Sequence, residues 1–430
     1  MKKLHASSLI ISAVLALTSC QNSTNTSSYQ NDPSNNSVNI SSNTNLATKI
    51  SVTSDSNVVN TVTDDKYWSK IELIRTTDPK IADEKMLPKG RQRDAEIVKC
   101  FGTDTPSSKD FCLHDAGAPD KLKYPTPILL VHGANTNATR SWADPDGDGS
   151  KTGLMQYLKG QGYHVFAITY ANKHGDNYIW ASHIHRAISR IKQITNVDKV
   201  DTLGHSKGGF ALRLYVSNVN DGTFSYANDV RKAIFVASPH RGIDLSFRHP
   251  SLQWFLYPDK DNPLTYAPMV WTKILWQGTF QDSKDLSFSG EYFPGQSQLV
   301  ARFDKIHALS PVEPDWYTSY NGGQGLVSYS PGIDAVIKQG GNLVDKVIKS
   351  PVVSTVKVAV LAGNNPNVPG IANELTGPSD GIVFVASAKA TGDLTAGGAT
   401  LLAEKLMPLN HLSLVSDPTS MKWISDQLAK

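Results

Sequence analysis

Residues Gly204-His205-Ser206-Lys207-Gly208 fit the pattern G-x-S-x-G. They lie between a strand candidate, Val200 to Leu203, and a segment carrying Phe210, Leu212, Leu214 and Val216. A serine hydroxyl at its free pKa is a poor nucleophile, so a chain that uses one must present it in the open to a base. A sharp strand-to-helix turn does this by forcing the serine into a strained backbone conformation. The positions two before and two after then approach closely, and glycine at 204 and 208 removes the clash. The helix that follows aims free N–H groups and the positive end of its dipole at the hydroxyl. Five residues alone match by chance in many proteins. The strand before and the helix after give this match its weight.

The surrounding pattern agrees. Ile128 to Val131 is a continuous apolar run ending at His132-Gly133, and Tyr163 to Tyr170, Lys232 to Ser238 and Lys357 to Gly363 are further strand candidates. Between them, Leu154, Met155 and Leu158 mark one helix. Trp180, Ile184, Ile188, Ile191 and Ile194 mark another at helical spacing. Apolar strands alternating with helices imply an α/β fold with a doubly wound, mostly parallel sheet, whose functional groups gather at the carboxyl ends of the strands. The domain is expected over 125–430, with an insertion over about 244–350. Phe247, Trp254, Phe255, Tyr257, Trp271, Trp276, Phe280, Tyr292 and Phe293 make that insertion aromatic-rich. It reads either as a cap over the catalytic edge or as a second packing layer with no ligand role.

The N-terminus has its own logic. Lys2 and Lys3 precede an apolar run, Leu9 to Leu17, too short to span a bilayer stably. Leu17-Thr18-Ser19-Cys20 resembles the lipobox of bacterial lipoproteins, which implies a signal peptide over 1–20, acylation of Cys20 and a membrane partner. Gln21 resembles outer-membrane sorting, so a lipid-anchored place in the bacterial cell envelope, facing the periplasm or the surface, is expected. Residues 21–62 are dominated by Asn, Ser and Thr and read as a flexible, disordered tether. The stretch 63–124 reads as an N-terminal extension without an assigned role. Of three cysteines, Cys100 and Cys112 remain as a pair. Export favours a disulfide there, worth on the order of 2–4 kcal/mol, and the spacing excludes a C-x-x-C redox or zinc site. A net charge of +3 is too small to suggest a nucleic-acid partner.

From about Pro127 onward the chain resembles the bacterial lipase/esterase branch of the α/β-hydrolase family. The resemblance rests on Pro127-Ile128-Leu129-Leu130-Val131-His132-Gly133, the turn at 204–208, Ala237-Ser238-Pro239-His240-Arg241-Gly242, Ser379-Asp380-Gly381 and Asn410-His411-Leu412. In that family the order along the chain is serine, then acid, then histidine. Carried over, it implies Ser206 as nucleophile, Asp380 as orienting acid and His411 as base. The backbone N–H groups of Ala134 and Lys207 would be the oxyanion donors, each worth about 3 kcal/mol. Asp244 is the rival acid and His307 the nearest rival base, while His132 and His240 read as architecture. Lys207 departs from the apolar or amide residue often found after the serine, which bears on substrate preference and not on the triad.

The implied activity is hydrolysis of carboxylic esters, as a lipase or carboxylesterase acting on a lipid or ester substrate with no cofactor required. A polyester (polyhydroxyalkanoate) depolymerase and a thioesterase share the same triad, and a non-enzymatic binding module on the same fold is the rival from another class. One further motif stands apart. Asp144, Asp146 and Asp148, with Gly149 at the sixth place, resemble the start of a calcium loop, but Met155 stands where a bidentate Glu belongs. Two readings stay open there: a partial structural Ca²⁺ site and an Asx-turn loop.

Overall fold

The computed structural model describes residues 50–63, 66–85, 94–249, 271–276, 278–281, 294–369 and 373–430. The expected signal peptide, Cys20 and most of the expected tether lie outside them. Ten strands build the main sheet: β1 (Ile50–Thr53), β2 (Ser56–Val62), β3 (Lys70–Thr76), β4 (Asp110–Asp115), β5 (Tyr124–Val131), β6 (Tyr163–Tyr170), β7 (Val200–His205) and β8 (Val230–Val236), then β13 (Lys357–Gly363) and β14 (Thr400–Met407). A separate sheet holds β9 (Lys273–Trp276), β10 (Thr279–Gln281), β11 (Gly323–Gln324) and β12 (Ser328–Ser330).

The main order is β1-β2-β3-β4-β6-β5-β7-β8-β13-β14. The strands from β6 to β14 run parallel, and β1 to β4 add an antiparallel flank. After β6 the chain crosses back over β5 to start β7, and this reversal opens a crevice at the carboxyl ends. Period-two alternation explains how a continuous apolar run serves both faces. Leu129 and Val131 of β5 pack on one face with α3 (Asn177–Thr195) and α4 (Lys207–Val216). Ile128 and Leu130 pack on the other with α2 (Leu154–Gly160) and the C-terminal helix Pro418–Ala429. Trp180, Ile184, Ile188 and Ile191 of α3 are buried, as their spacing requires.

The tether expectation is corrected at its C-terminal end. Residues 50–62 form β1 and β2, because Val52 and Val58 are buried in the core and α3 covers the hairpin. Gln193 donates to the carbonyls of Ser51 and Val52, and Arg186 pairs with Asp55, so the polar hairpin has its bonds satisfied. The expected extension over 63–124 is likewise part of the sheet: β3 and β4 join β2 to β6. Buried Glu72 of β3 takes two bonds from Arg190 of α3. Cys100, on α1 (Ala95–Phe101), and Cys112, on β4, form a disulfide.

The insertion between β8 and β13 carries the small antiparallel sheet and its own core. Phe247 stacks on Trp271, with ring centroids 5.5 Å apart, and Tyr320, Ile333 and Val336 pack around them. Those aromatics make core. Trp254, Phe255, Tyr257, Tyr292 and Phe293 lie outside the described residues.

Candidate active site

Ser206 stands between the end of β7 and the first residue of α4 with φ 53° and ψ −130°, a conformation few non-glycine residues adopt. Close backbone approach holds it there. A Cβ on Gly204 would lie 2.5 Å from Gly209 Cα, and one on Gly208 would lie 2.2 Å from the His132 carbonyl oxygen. The two glycines therefore do different jobs. Gly204 makes room for Gly209 within the turn, and Gly208 admits the loop after β5. That loop reaches Ser206, since a Cβ on Gly133 would lie 3.0 Å from Ser206 Cβ.

Asp380 and His411 meet across two later loops. Asp380 Oδ2 lies 2.9 Å from His411 Nδ1, and its other oxygen accepts the N–H groups of Ile382 and Val383 at 3.1 and 2.8 Å. The His411 N–H donates to the Asp380 carbonyl at 2.9 Å, which ties the two loops through the backbone as well. Gly363, ending β13, lets them come together: a Cβ there would meet Leu409 O at 2.3 Å and Asp380 Cβ at 3.0 Å.

Ser206 and His411 both line one cavity of about 680 Å³. Among the described residues no hydrogen bond joins them. Ala134 and Lys207 line the same cavity, and among the described residues neither backbone N–H has an acceptor. Pro239, Ile243, Leu299, Ile382, Val383 and Val415 form an apolar wall, while Asn135, Thr136 and Arg140 form a polar one.

The rivals are placed elsewhere. Asp244 is fully buried and spent on structure: it pairs with Arg248 at 2.8 Å and accepts from the Tyr320 hydroxyl at 2.8 Å and the Phe303 N–H at 3.2 Å. His307 packs on Phe384, with ring centroids 4.3 Å apart. Burial holds the His132 imidazole down to about 3, and Tyr170 and Trp180 meet it edge-on. Burial likewise holds His240 well below its ordinary value, against Phe235. Both are architecture, as expected from their positions.

The calcium reading is corrected. Among the described residues no group of three or more His, Cys, Asp or Glu side chains is gathered as metal ligands. Asp144 turns inward to accept the Tyr67 hydroxyl at 2.6 Å and the Gly149 N–H at 3.1 Å, while Asp148 accepts the Ser150 N–H two residues on at 2.8 Å. These are the bonds of an Asx-turn loop, so the three carboxylates do not fit the ion.

The burial of the Lys207 side chain was not foreseen; only a bearing on substrate preference was expected of it. It is buried along its length, with Nζ 3.3 Å from the Trp180 ring centroid. Burial pushes it well below the ordinary lysine value, and the carboxylates of Glu84 and Asp176 oppose that shift. Burial pushes Glu84 up to about 7, with the charge of Asp176 adding to it. Glu84 also accepts from the Asp176 N–H at 2.6 Å and from Asn172 at 2.9 Å. The sequence signal for it was a lysine opening a mostly apolar helix, Lys207–Val216.

A mostly parallel sheet, a strained serine after its seventh strand and an Asp–His pair on loops after two later strands together decide the architecture. It is an α/β hydrolase by fold. Residues 127–298 of this α/β hydrolase match the family described as palmitoyl protein thioesterase. The match takes in Ala134, Ser206 and Lys207, and stops short of Asp380 and His411. Among solved structures it is similar to a lipase of Bacillus licheniformis in mature form, at 17% identity over 73% of this chain and 97% of that one, with a TM-score of 0.41. It is also similar to a thermostable carboxyl esterase from Bacillus coagulans, at 14% identity over 74% and 92%, TM-score 0.41. A gene product of Listeria innocua gives 18% identity over 72% and 95%, TM-score 0.35. Fold and family match together support an ester-cleaving hydrolase.

Proposed function

We propose that the chain is a serine hydrolase of carboxylic esters, a lipase or carboxylesterase working through an acyl-enzyme on Ser206. The observation that carries this reading is the 2.9 Å Asp380–His411 contact, made by a histidine that shares a cavity with a serine held at φ 53°. With Nδ1 held by Asp380, the other ring nitrogen of His411 takes the Ser206 proton as Oγ attacks the acyl carbon. The N–H groups of Ala134 and Lys207 receive the oxyanion. His411 then gives its proton to the leaving oxygen, and water repeats the sequence to release the acid. An acyl chain suits the apolar wall of Pro239, Ile243, Leu299, Ile382 and Val383. Acylation of Cys20 would hold the enzyme at the bacterial outer membrane, where such chains are at hand.

Ser206→Ala is expected to lower turnover of a nitrophenyl ester at least about a thousandfold with folding intact, and to abolish labelling by a fluorophosphonate. Unchanged turnover would overturn the assignment. The match over residues 127–298 favours one second reading, a thioesterase acting on acyl-cysteine. Comparing kcat/KM for a palmitoyl thioester and the matched oxygen ester separates the two.

A further inference from the structure

A second imidazole lies beside the proposed reacting groups. His205 is the last residue of β7, directly before Ser206, and is almost wholly buried. Its Nε2 lies 3.0 Å from the backbone carbonyl oxygen of His411, and the two rings are 4.8 Å apart, centroid to centroid. A carbonyl only accepts, so Nε2 carries the proton and donates. The other face of the ring meets the loop after β5, because a Cβ on Gly133 would lie 3.3 Å from His205 Nδ1. His205 therefore touches the loops that carry an oxyanion donor, the nucleophile and the base.

The bond completes a pattern around His411. That residue's N–H goes to the Asp380 carbonyl, its Nδ1 to the Asp380 carboxylate and its carbonyl to His205. Two of these three bonds tie His411 to the acid. The third ties it to the strand that presents the nucleophile, and among the described residues it is the one hydrogen bond between His205-Ser206 and the loop carrying His411. It is therefore a direct tie between the turn that carries Ser206 and the loop that carries His411. A donor in this place must also stay neutral. A cation 4.8 Å from His411 would oppose the imidazolium that forms in the reaction. The titratable groups facing the ring are His411 and His132, both imidazoles. Burial, with His411 beside it, holds His205 down to about 3, so it remains a neutral donor.

We propose that His205 is a positioning residue that sets the distance between Ser206 and His411 through a neutral Nε2–H bond to the His411 carbonyl. This rests on Ser206 and His411 being nucleophile and base. The test compares His205→Ala, His205→Gln and Ser206→Ala in nitrophenyl ester turnover, with melting temperatures alongside. Gln keeps an N–H donor at similar reach. A misplacement of about 1 Å can cost on the order of a hundredfold. His205→Ala is therefore expected to lose about tenfold to a hundredfold in kcat with KM within about twofold, and His205→Gln to recover most of it. Equal losses in both variants, a loss confined to KM, or wild-type kcat in His205→Ala would overturn the proposal. If the Ala variant does not fold, turnover by the Gln variant decides. Activity surviving in Ser206→Ala would instead overturn the acyl-enzyme reading itself, so the two failures are distinct.

Discussion

Asp244 and Asp380 are both buried carboxylates late in the chain, and one pair of substitutions separates their roles. Asp244→Asn removes the negative charge that faces Arg248 at 2.8 Å, where both side chains are 0% exposed. It also weakens the acceptor used by Tyr320 and Phe303. Glu374, 3.6 Å from Arg248, gives the stranded guanidinium only partial relief. Removing one partner of a buried pair costs about 3–5 kcal/mol. For the described residues, roughly 330 of them, unfolding entropy at about 2.1 cal/mol/K per residue comes to roughly 0.7 kcal/mol/K. Asp244→Asn should thus lower Tm by about 5 °C while kcat stays near wild type at a temperature where the variant is folded. Asp380→Asn should do the reverse. It leaves the His411 ring without the acceptor that fixes its tautomer, a change that costs about 10⁴-fold in serine-protease triads. Thermal melts by circular dichroism and nitrophenyl ester kinetics read both effects. A thousandfold loss of kcat in Asp244→Asn, with Asp380→Asn fully active, would refute the assignment of the acid.

Two further outcomes follow from features away from the reacting groups. Changing both Cys100 and Cys112 to Ser removes a crosslink between positions 12 apart, which should cost about 3 kcal/mol and lower Tm without altering kcat; melts under oxidising and reducing conditions check this. Because burial raises Glu84 from 4.5 to about 7, its protonated form supports the fold at low pH, and that contribution is lost as pH rises between those values. The Tm of Glu84→Gln should therefore rise relative to wild type across that window, and a pH-independent difference would show that the carboxyl does not titrate there.

What was legible in the sequence was what local pattern encodes. The turn at 204–208 needs its two glycines within five residues, and the apolar runs Ile128–Val131 of β5, Ala233–Val236 of β8 and Val358–Ala362 of β13 announce their strands. Asp380 and His411 sit in loops after β13 and β14, and the order serine, acid, histidine along the chain pointed to them. What failed was non-local. The β1–β2 hairpin hides in a polar stretch because its bonds are supplied by Arg186 and Gln193, far along the chain. The calcium spacing misled because Tyr67, 77 positions earlier, takes the Asp144 carboxylate. The burial of Lys207 depends on Glu84 and Trp180, which no window around the serine contains.

Among the described residues, the ten-stranded order leaves β1 and β14 each with one side unpaired. Open strand margins invite self-templating between molecules, a hazard that grows wherever many copies crowd together. Both margins are blunted here. The first is four residues long with an irregular register at Ser51 and Thr53. The second presents exposed Glu404 and Lys405, with Glu404 clasped by Lys389 at 2.7 Å. A neighbour's backbone docking there would have to strip water from charges before gaining a single ladder bond, so the sheet ends where its pairing ends.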